Sequence, residues 1–261
     1  MKKAILDLTV RSVERLHERY VLIKLTQEQP LPEILPGQFV EIKVDGSKNT
    51  FLRRPISICF IDNKTNELWL LVAVVGDGTK HIAQLKAGDK LNCVLPLGNG
   101  FSLPNSSEAQ GKRFLLVGGG VGVAPLLDLG AVLKSMGCDV TFLLGARSAK
   151  DLLLLDKFGE YGRVLVTTED GSFGEKGFVT QHSVLRNEKF DMVQCCGPTP
   201  MMKAVAHYAR EAEVTCEVSL ENLMACGLGA CLCCVEKTVE GNVCVCKEGP
   251  VFNIDKLLWQ I

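Results

Sequence analysis

The chain has 261 residues, 29 basic and 30 acidic, with a formal net charge of −1 and 47% hydrophobic residues, which is enough length for two compact domains and an appendage. So balanced a charge supplies no field for nucleic acid or an anionic membrane surface, and any polyanion must be met locally. The opening MKKAILDLTVRSVERL has no uninterrupted apolar stretch, and charges interrupt every later apolar run before it could span a bilayer, so a soluble, cytoplasmic protein with no membrane and no nucleic-acid partner is expected.

From residue 1 to 101, short β-rich runs (RYVLIKLT, QFVEIKV, PISICFI, LWLLVAVV, DKLNCVL) alternate with the turn signals PG, DG, GDG and GD. This pattern predicts an antiparallel barrel or sandwich, interrupted by one helix from Gly78 to Leu85. A small, polar stretch, SLPNSSEAQG, reads as a linker. The rhythm then changes: RFLLVGGG, DVTFLLGA, GRVLVTTED and FDMVQCCGP alternate with segments of helical spacing, which predicts a parallel α/β sheet over residues 102–221. The strand CEVSLE closes it. Residues 222–261 are rich in Cys and Gly and too few to bury a good core without a metal or similar clamp.

Six of the twelve cysteines (Cys226, Cys231, Cys233, Cys234, Cys244, Cys246) lie between residues 226 and 246. The other six (Cys59, Cys93, Cys138, Cys195, Cys196, Cys216) are scattered among apolar residues and read as small buried hydrophobes. In MACGLGACLCCV, Cys226, Cys231 and Cys234 stand as C-x4-C-x2-C, the spacing of plant-type [2Fe–2S] loops. Gly227 and Gly229 allow positive φ and point amide N–H groups at sulfur. A zinc site is the main alternative, but zinc ribbons pair two C-x2-C halves and the second half here is CVC. By position, Cys244 and Cys246 are both candidates for the fourth ligand. Only Cys234, not Cys233, gives the x2 spacing.

In the first domain, LRRPISI places Arg54, Pro55, Ile56 and Ser57 at the start of a strand. The arginine suits a pyrophosphate and the serine an isoalloxazine ring atom. Gly78 and Thr79 open a helix whose N–H groups suit the same phosphates. In the second domain a strand runs into GGGVGVAPL, so Gly118, Gly119, Gly120 and Gly122 occupy a strand-to-helix turn open to a dinucleotide, although the spacing is not that of the G-x-G-x-x-G fingerprint. TTEDGSFG and CGPTPMM fall at the carboxyl ends of predicted strands. Within them, Glu169 and Asp170 suit ribose hydroxyls rather than a 2′-phosphate, which favours NAD over NADP. Cys196, Gly197 and Pro198 lead into a helix, with the Cys196 thiol expected to face the ligand crevice.

In this order the pieces resemble the ferredoxin–NADP reductase superfamily. Within it, RRPIS, GDGT, GGGVGVAPL, EDGSFGEKGFVT, CGPTPMM, MACGLGACLCC and CKEGPVF together resemble the electron-transfer subunits of NAD-dependent, type B dihydroorotate dehydrogenases. The resemblance implies a flavin-binding β-barrel (1–101), a parallel-sheet nucleotide-binding domain (102–221) and a small C-terminal [2Fe–2S] domain (222–261). It implies FAD held by Arg54–Ser57, Leu71, Val72, Ala73, Gly78 and Thr79, and a cluster on Cys226, Cys231, Cys234 and Cys246, the last because it precedes KEGPVF. Ser57 and Cys196 become catalytic candidates near the flavin and nicotinamide. Family members commonly carry a Tyr-Arg pair where this chain has Val72 and Ala73, so one FAD contact is missing or replaced. The implied partner is an FMN-containing catalytic subunit that oxidises dihydroorotate to orotate in pyrimidine biosynthesis, in a heterotetramer of two of each, with NAD+ as final acceptor. Other readings are the small subunit of an NAD(P)H–ferredoxin oxidoreductase or sulfide dehydrogenase, some of which use Asp where this chain has Cys226, and a non-enzymatic zinc-binding module.

Overall fold

The computed structural model describes residues 2–259. Its strands and helices in chain order are β1 (Ala4–His17), β2 (Tyr20–Thr26), β3 (Phe39–Ile42), β4 (Arg54–Asp62), β5 (Glu67–Ala73), α1 (Asp77–Ile82), β6 (Lys90–Leu97), β7 (Arg113–Gly119), α2 (Ala124–Ser135), β8 (Asp139–Ala146), α3 (Leu155–Gly159), β9 (Arg163–Thr168), β10 (Glu175–Lys176), α4 (Val184–Asn187), β11 (Met192–Cys196), α5 (Thr199–Glu211), β12 (Thr215–Ser219), β13 (Val235–Thr238), β14 (Gly241–Cys244), α6 (Val245–Glu248) and β15 (Val251–Asn253). No helix among the described residues is long and apolar enough to cross a membrane.

The chain forms two compact units. Among the described residues, one takes those up to Gly100 together with Glu221–Glu236 and Asn242–Pro250, and the other takes Phe101–Leu220 with Lys237–Gly241 and residues 251–259. Of the segment expected as a small C-terminal domain, residues 222–236 and 242–250 pack within the first unit, and 237–241 and 251–259 within the second. The physical reason is the one already given: so short a segment cannot bury a core of its own.

In the first unit six antiparallel strands close a barrel in the order β1-β2-β5-β4-β3-β6. Closure decides between the barrel and the sandwich. Alternation fills the interior with Val21, Ile23 and Leu25 of β2, Val40 and Ile42 of β3, and Leu68, Leu70 and Val72 of β5, each fully buried aliphatic side chain contributing about 1.5–3 kcal/mol. The strand absent from the sequence reading is β1. Its charged residues and two register shifts, between Val10 and Ser12 and between Arg15 and His17, obscure the alternation, yet it pairs with both β2 and β6 and so closes the barrel.

The second unit is built on a seven-stranded sheet of order β10-β9-β8-β7-β11-β12-β15. The neighbours from β10 to β12 pair in parallel and β15 adds an antiparallel edge. β12 closes the region in chain order, as the sequence suggested, and β15 lies outside it in the sheet. The chain winds outward from β7 first through β8 and β9, then returns to the other side with β11, which makes the carboxyl ends of β7 and β11 the switch point where such sheets bind ligands. The expected linker is fastened rather than loose: Ser102 donates from its N–H and hydroxyl to the Glu217 carboxylate, and Gln194 Nε2 donates to both Ser102 O (2.9 Å) and Glu217 Oε2 (3.0 Å).

Candidate functional site

The RRP motif divides its two arginines between different tasks. Arg53 Nη1 donates to the carbonyls of Glu41 (3.2 Å) and Asn92 (3.1 Å), and Nη2 to Asn92 Oδ1 (2.5 Å), pinning the start of β4 to β3 and β6. The Arg54 side chain lies over the opening of α1. A Cβ at Gly78 would stand 3.0 Å from both Arg54 Cδ and Thr50 Cγ2, so the guanidinium stem lies tightly against the helix start. The Thr79 hydroxyl accepts from the N–H groups of Val75 (3.0 Å) and Gly76 (3.1 Å), which fixes the turn itself. Asp77, which the sequence reading passed over, receives Ser47 Oγ (2.5 Å) and Thr50 Oγ1 (3.1 Å) and ties the preceding loop to the same helix start. These two hydroxyls hold its carboxyl below the usual range.

Along β4, Ile56 packs against the barrel core, which turns Pro55 and Ser57 to the other face. Along β5, Val72 points into the core and is 0% exposed, so only its backbone is left to meet a ligand. Leu71 and Ala73 face the opposite side. Val72 and Ala73 are therefore one buried aliphatic and one small outward residue.

At the switch point the glycines serve backbone packing. A Cβ on Gly122 would lie 2.5 Å from Gly197 Cα and 2.7 Å from Cys196 C and O, and one on Gly119 would lie 2.6 Å from the Met201 sulfur. The Gly118–Gly122 turn after β7 and the Cys196–Pro198 turn after β11 are thus interlocked. Gly118 similarly faces Val123 and Leu126, while Gly120 supplies a φ of +56°. The Cys196 thiol was expected to face the crevice, but the residue is 1% exposed. Glu169 and Asp170 are exposed at the end of β9. Asp170 accepts from Ser172 N–H and Oγ, which hold its carboxyl below the usual range.

All six scattered cysteines are buried, as expected of small hydrophobes. Burial pushes the thiols of Cys93 and Cys216 up to about 12.

The clustered cysteines behave differently. Leu228 N–H donates to Cys226 Sγ (3.4 Å), Gly229 N–H to Cys246 Sγ (3.1 Å) and Cys246 N–H to Cys234 Sγ (3.4 Å). Gly227 and Gly229 take φ of +66° and +81°, as the motif requires, and Leu232 is also left-handed at +59°. The Leu228 N–H, helped by Cys231 and Ala230, draws the Cys226 thiol down to about 6, whereas burial pushes Cys246 up to about 12. Oriented N–H donors stabilise thiolates bound to a cluster. The thiols that receive these N–H groups, Cys226, Cys234 and Cys246, supply the chemistry that a [2Fe–2S] cluster needs.

The segment is seated on the barrel. Asn99 N–H donates to Gly249 O (2.6 Å), its Nδ2 to Glu248 O (2.9 Å), and Val245 N–H to Cys234 O (3.0 Å). Beneath Gly227 lies Glu41, 0% exposed, a residue that no sequence signal marks as buried. Burial raises its carboxyl to about 7 against the pull of Arg54 and Arg53.

Residues 221–258 match the model for the iron-sulfur cluster binding domain of dihydroorotate dehydrogenase B, and residues 116–207 that for an oxidoreductase NAD-binding domain. The chain is 40% identical over 260 residues to the dihydroorotate dehydrogenase B (NAD(+)), electron transfer subunit of Bacillus velezensis, covering 98% of this chain and 99% of that protein. It is 41% identical over 222 residues to the counterpart from Clostridium perfringens, covering 85% and 86%. Among solved structures it is similar to a chain of an NADH-dependent reduced ferredoxin-NADP oxidoreductase studied for flavin-based electron bifurcation, with 32% identity, TM-score 0.86 and coverage of 98% and 91%. A ferredoxin NADP+ reductase from Neisseria gonorrhoeae with bound FAD and NADP shares the fold at 16% identity and TM-score 0.63, covering 80% of this chain and 91% of that one. Agreement in sequence over nearly the whole length, together with the barrel, the sheet and the thiol-lined loop, places the chain in the family of electron transfer subunits of NAD+-dependent dihydroorotate dehydrogenase B.

Proposed function

We propose that this oxidoreductase subunit carries electrons from an FMN-containing, dihydroorotate-oxidising catalytic subunit to NAD+ by way of a [2Fe–2S] cluster and FAD, in a cytoplasmic heterotetramer of two chains of each kind. The observation that carries the reading is the set of thiols meeting N–H donors in the same unit as the Arg54–Gly78 contact. When bound, FAD exchanges a hydride with nicotinamide and single electrons with an iron–sulfur centre, so it links a two-electron carrier to a one-electron one.

In this reading Cys226, Cys231, Cys234 and Cys246 hold the two irons. Arg54 and the N–H groups at Gly78 and Thr79 bind the flavin pyrophosphate, and Pro55, Ile56, Ser57, Leu71, Ala73 and the Val72 backbone border the flavin, with the Ser57 hydroxyl at its ring. The interlocked turns Gly118–Gly122 and Cys196–Pro198 receive the nicotinamide nucleotide, with Glu169 and Asp170 accepting from ribose hydroxyls and repelling a 2′-phosphate. Cys196, being buried, shapes that turn through its backbone more than through its thiol. Anaerobically purified protein is expected to contain about one FAD and about two irons per chain and to be coloured by both. A colourless protein with stoichiometric zinc would overturn the reading.

A further inference from the structure

Alternation along β3 sends Val40 and Ile42 into the barrel core and Glu41 to the outer face, where a glutamate ordinarily meets water. Here the segment that carries Cys226 covers that face. Glu41 is left 0% exposed, and neither carboxylate oxygen has a hydrogen-bond partner among the described residues. Stripping water from a carboxylate without replacing its hydrogen bonds is costly, and an apolar side chain of the same size would avoid that cost. The buried carboxylate sits where the cluster turn makes contact. A Cβ on Gly227, the residue after Cys226, would lie 2.7 Å from Glu41 Cγ and 3.2 Å from Oε1. On its backbone side, Glu41 is held by Arg53 through the carbonyl.

We propose that Glu41 is a positioning residue for the iron–sulfur cluster: its side chain seats the Cys226–Gly227 turn, and its carboxylate sets a negative charge beside the cluster that holds the reduction potential down. The proposal rests on reading the four thiols as the cluster site. A fixed negative charge opposes the arrival of an electron, and it does so more strongly in a buried, weakly polarisable setting than in water. The net charge around a cluster is one of the levers that set its potential.

The test is a redox titration at pH 8, followed by electron paramagnetic resonance, of the cofactor-loaded wild type, E41Q and E41D. E41Q keeps the shape and removes the charge. It is expected to be reduced more easily, by at least a tenfold change in the equilibrium constant, a shift of about 59 mV for one electron, while E41D stays near the wild type. An unchanged potential in E41Q, or equal shifts in both variants, would overturn the proposal. If E41Q does not retain iron, iron content becomes the comparison: retention by E41D supports the role and loss from both variants refutes it. A wild type that carries no cluster would instead refute the functional reading on which the proposal stands.

Discussion

Cys244 and Cys246 are two residues apart, and their sulfurs meet opposite backbone groups. Cys246 Sγ receives the Gly229 N–H at 3.1 Å, whereas Cys244 Sγ lies 3.9 Å from the Gly229 carbonyl oxygen. A thiolate is stabilised by the first contact and repelled by the second, which favours Cys246 as the fourth ligand. The rule that residues two apart on a strand point the same way does not apply, because β14 ends at Cys244 and Cys246 lies in α6. Cys234 Sγ, in turn, receives the Cys246 N–H at 3.4 Å, and only Cys234 stands at the x2 spacing from Cys231. Replacing Cys246 with Ser is therefore expected to abolish or severely distort the reduced-state paramagnetic resonance signal, and Cys244→Ser and Cys233→Ser to leave it in place. The reverse ranking would reassign the ligand.

At the scale of elements, two strand-to-helix turns interlock because their glycines allow backbone to touch backbone. Gly122→Ala would force a methyl group to within 2.5 Å of Gly197 Cα, where no flexible side chain can yield. A loss of about 1–3 kcal/mol is expected, as for other overpacked sites, with weakened NADH binding because the turn itself is displaced. Gly159→Ala is the control, since a Cβ there meets nothing within 4 Å and alanine favours the helix end. Thermal unfolding of the two variants beside the wild type measures the contrast. Equal melting temperatures would show that the turns are not locked together.

For the molecule as a whole, function depends on a second protein. The chain alone is expected to reduce dyes with NADH but not to oxidise dihydroorotate, because its motifs bind cofactors and none suits that substrate. Co-expressed with an FMN-dependent dihydroorotate dehydrogenase from the same genome, it should form a stable complex that makes NADH when dihydroorotate is added. Cys226→Ser, lacking one iron ligand, should still associate and retain FAD yet lose this coupling. The measurement is NADH absorbance in the co-purified complex. Stable binding to some other flavin or iron–sulfur subunit, with no orotate-linked activity, would move the chain toward the ferredoxin oxidoreductases that it also resembles.

The amino-acid sequence by itself determined what depends on local spacing: the C-x4-C-x2-C loop with its positive-φ glycines, the change from strand runs to alternating strands and helices, and the glycine-rich turn after β7. Each is a short-range pattern whose backbone consequence is fixed within a few residues. What only the tertiary structure decided depends on which surfaces meet. The polar residue Glu41 became buried because residues distant in sequence folded over the outer face of β3. Val72 turned inward with the register of β5 in the closed barrel, and β1 found its place only through pairing with both β2 and β6. Residues 222–259 were divided between two units because a segment too short to enclose its own core packs on the cores already formed.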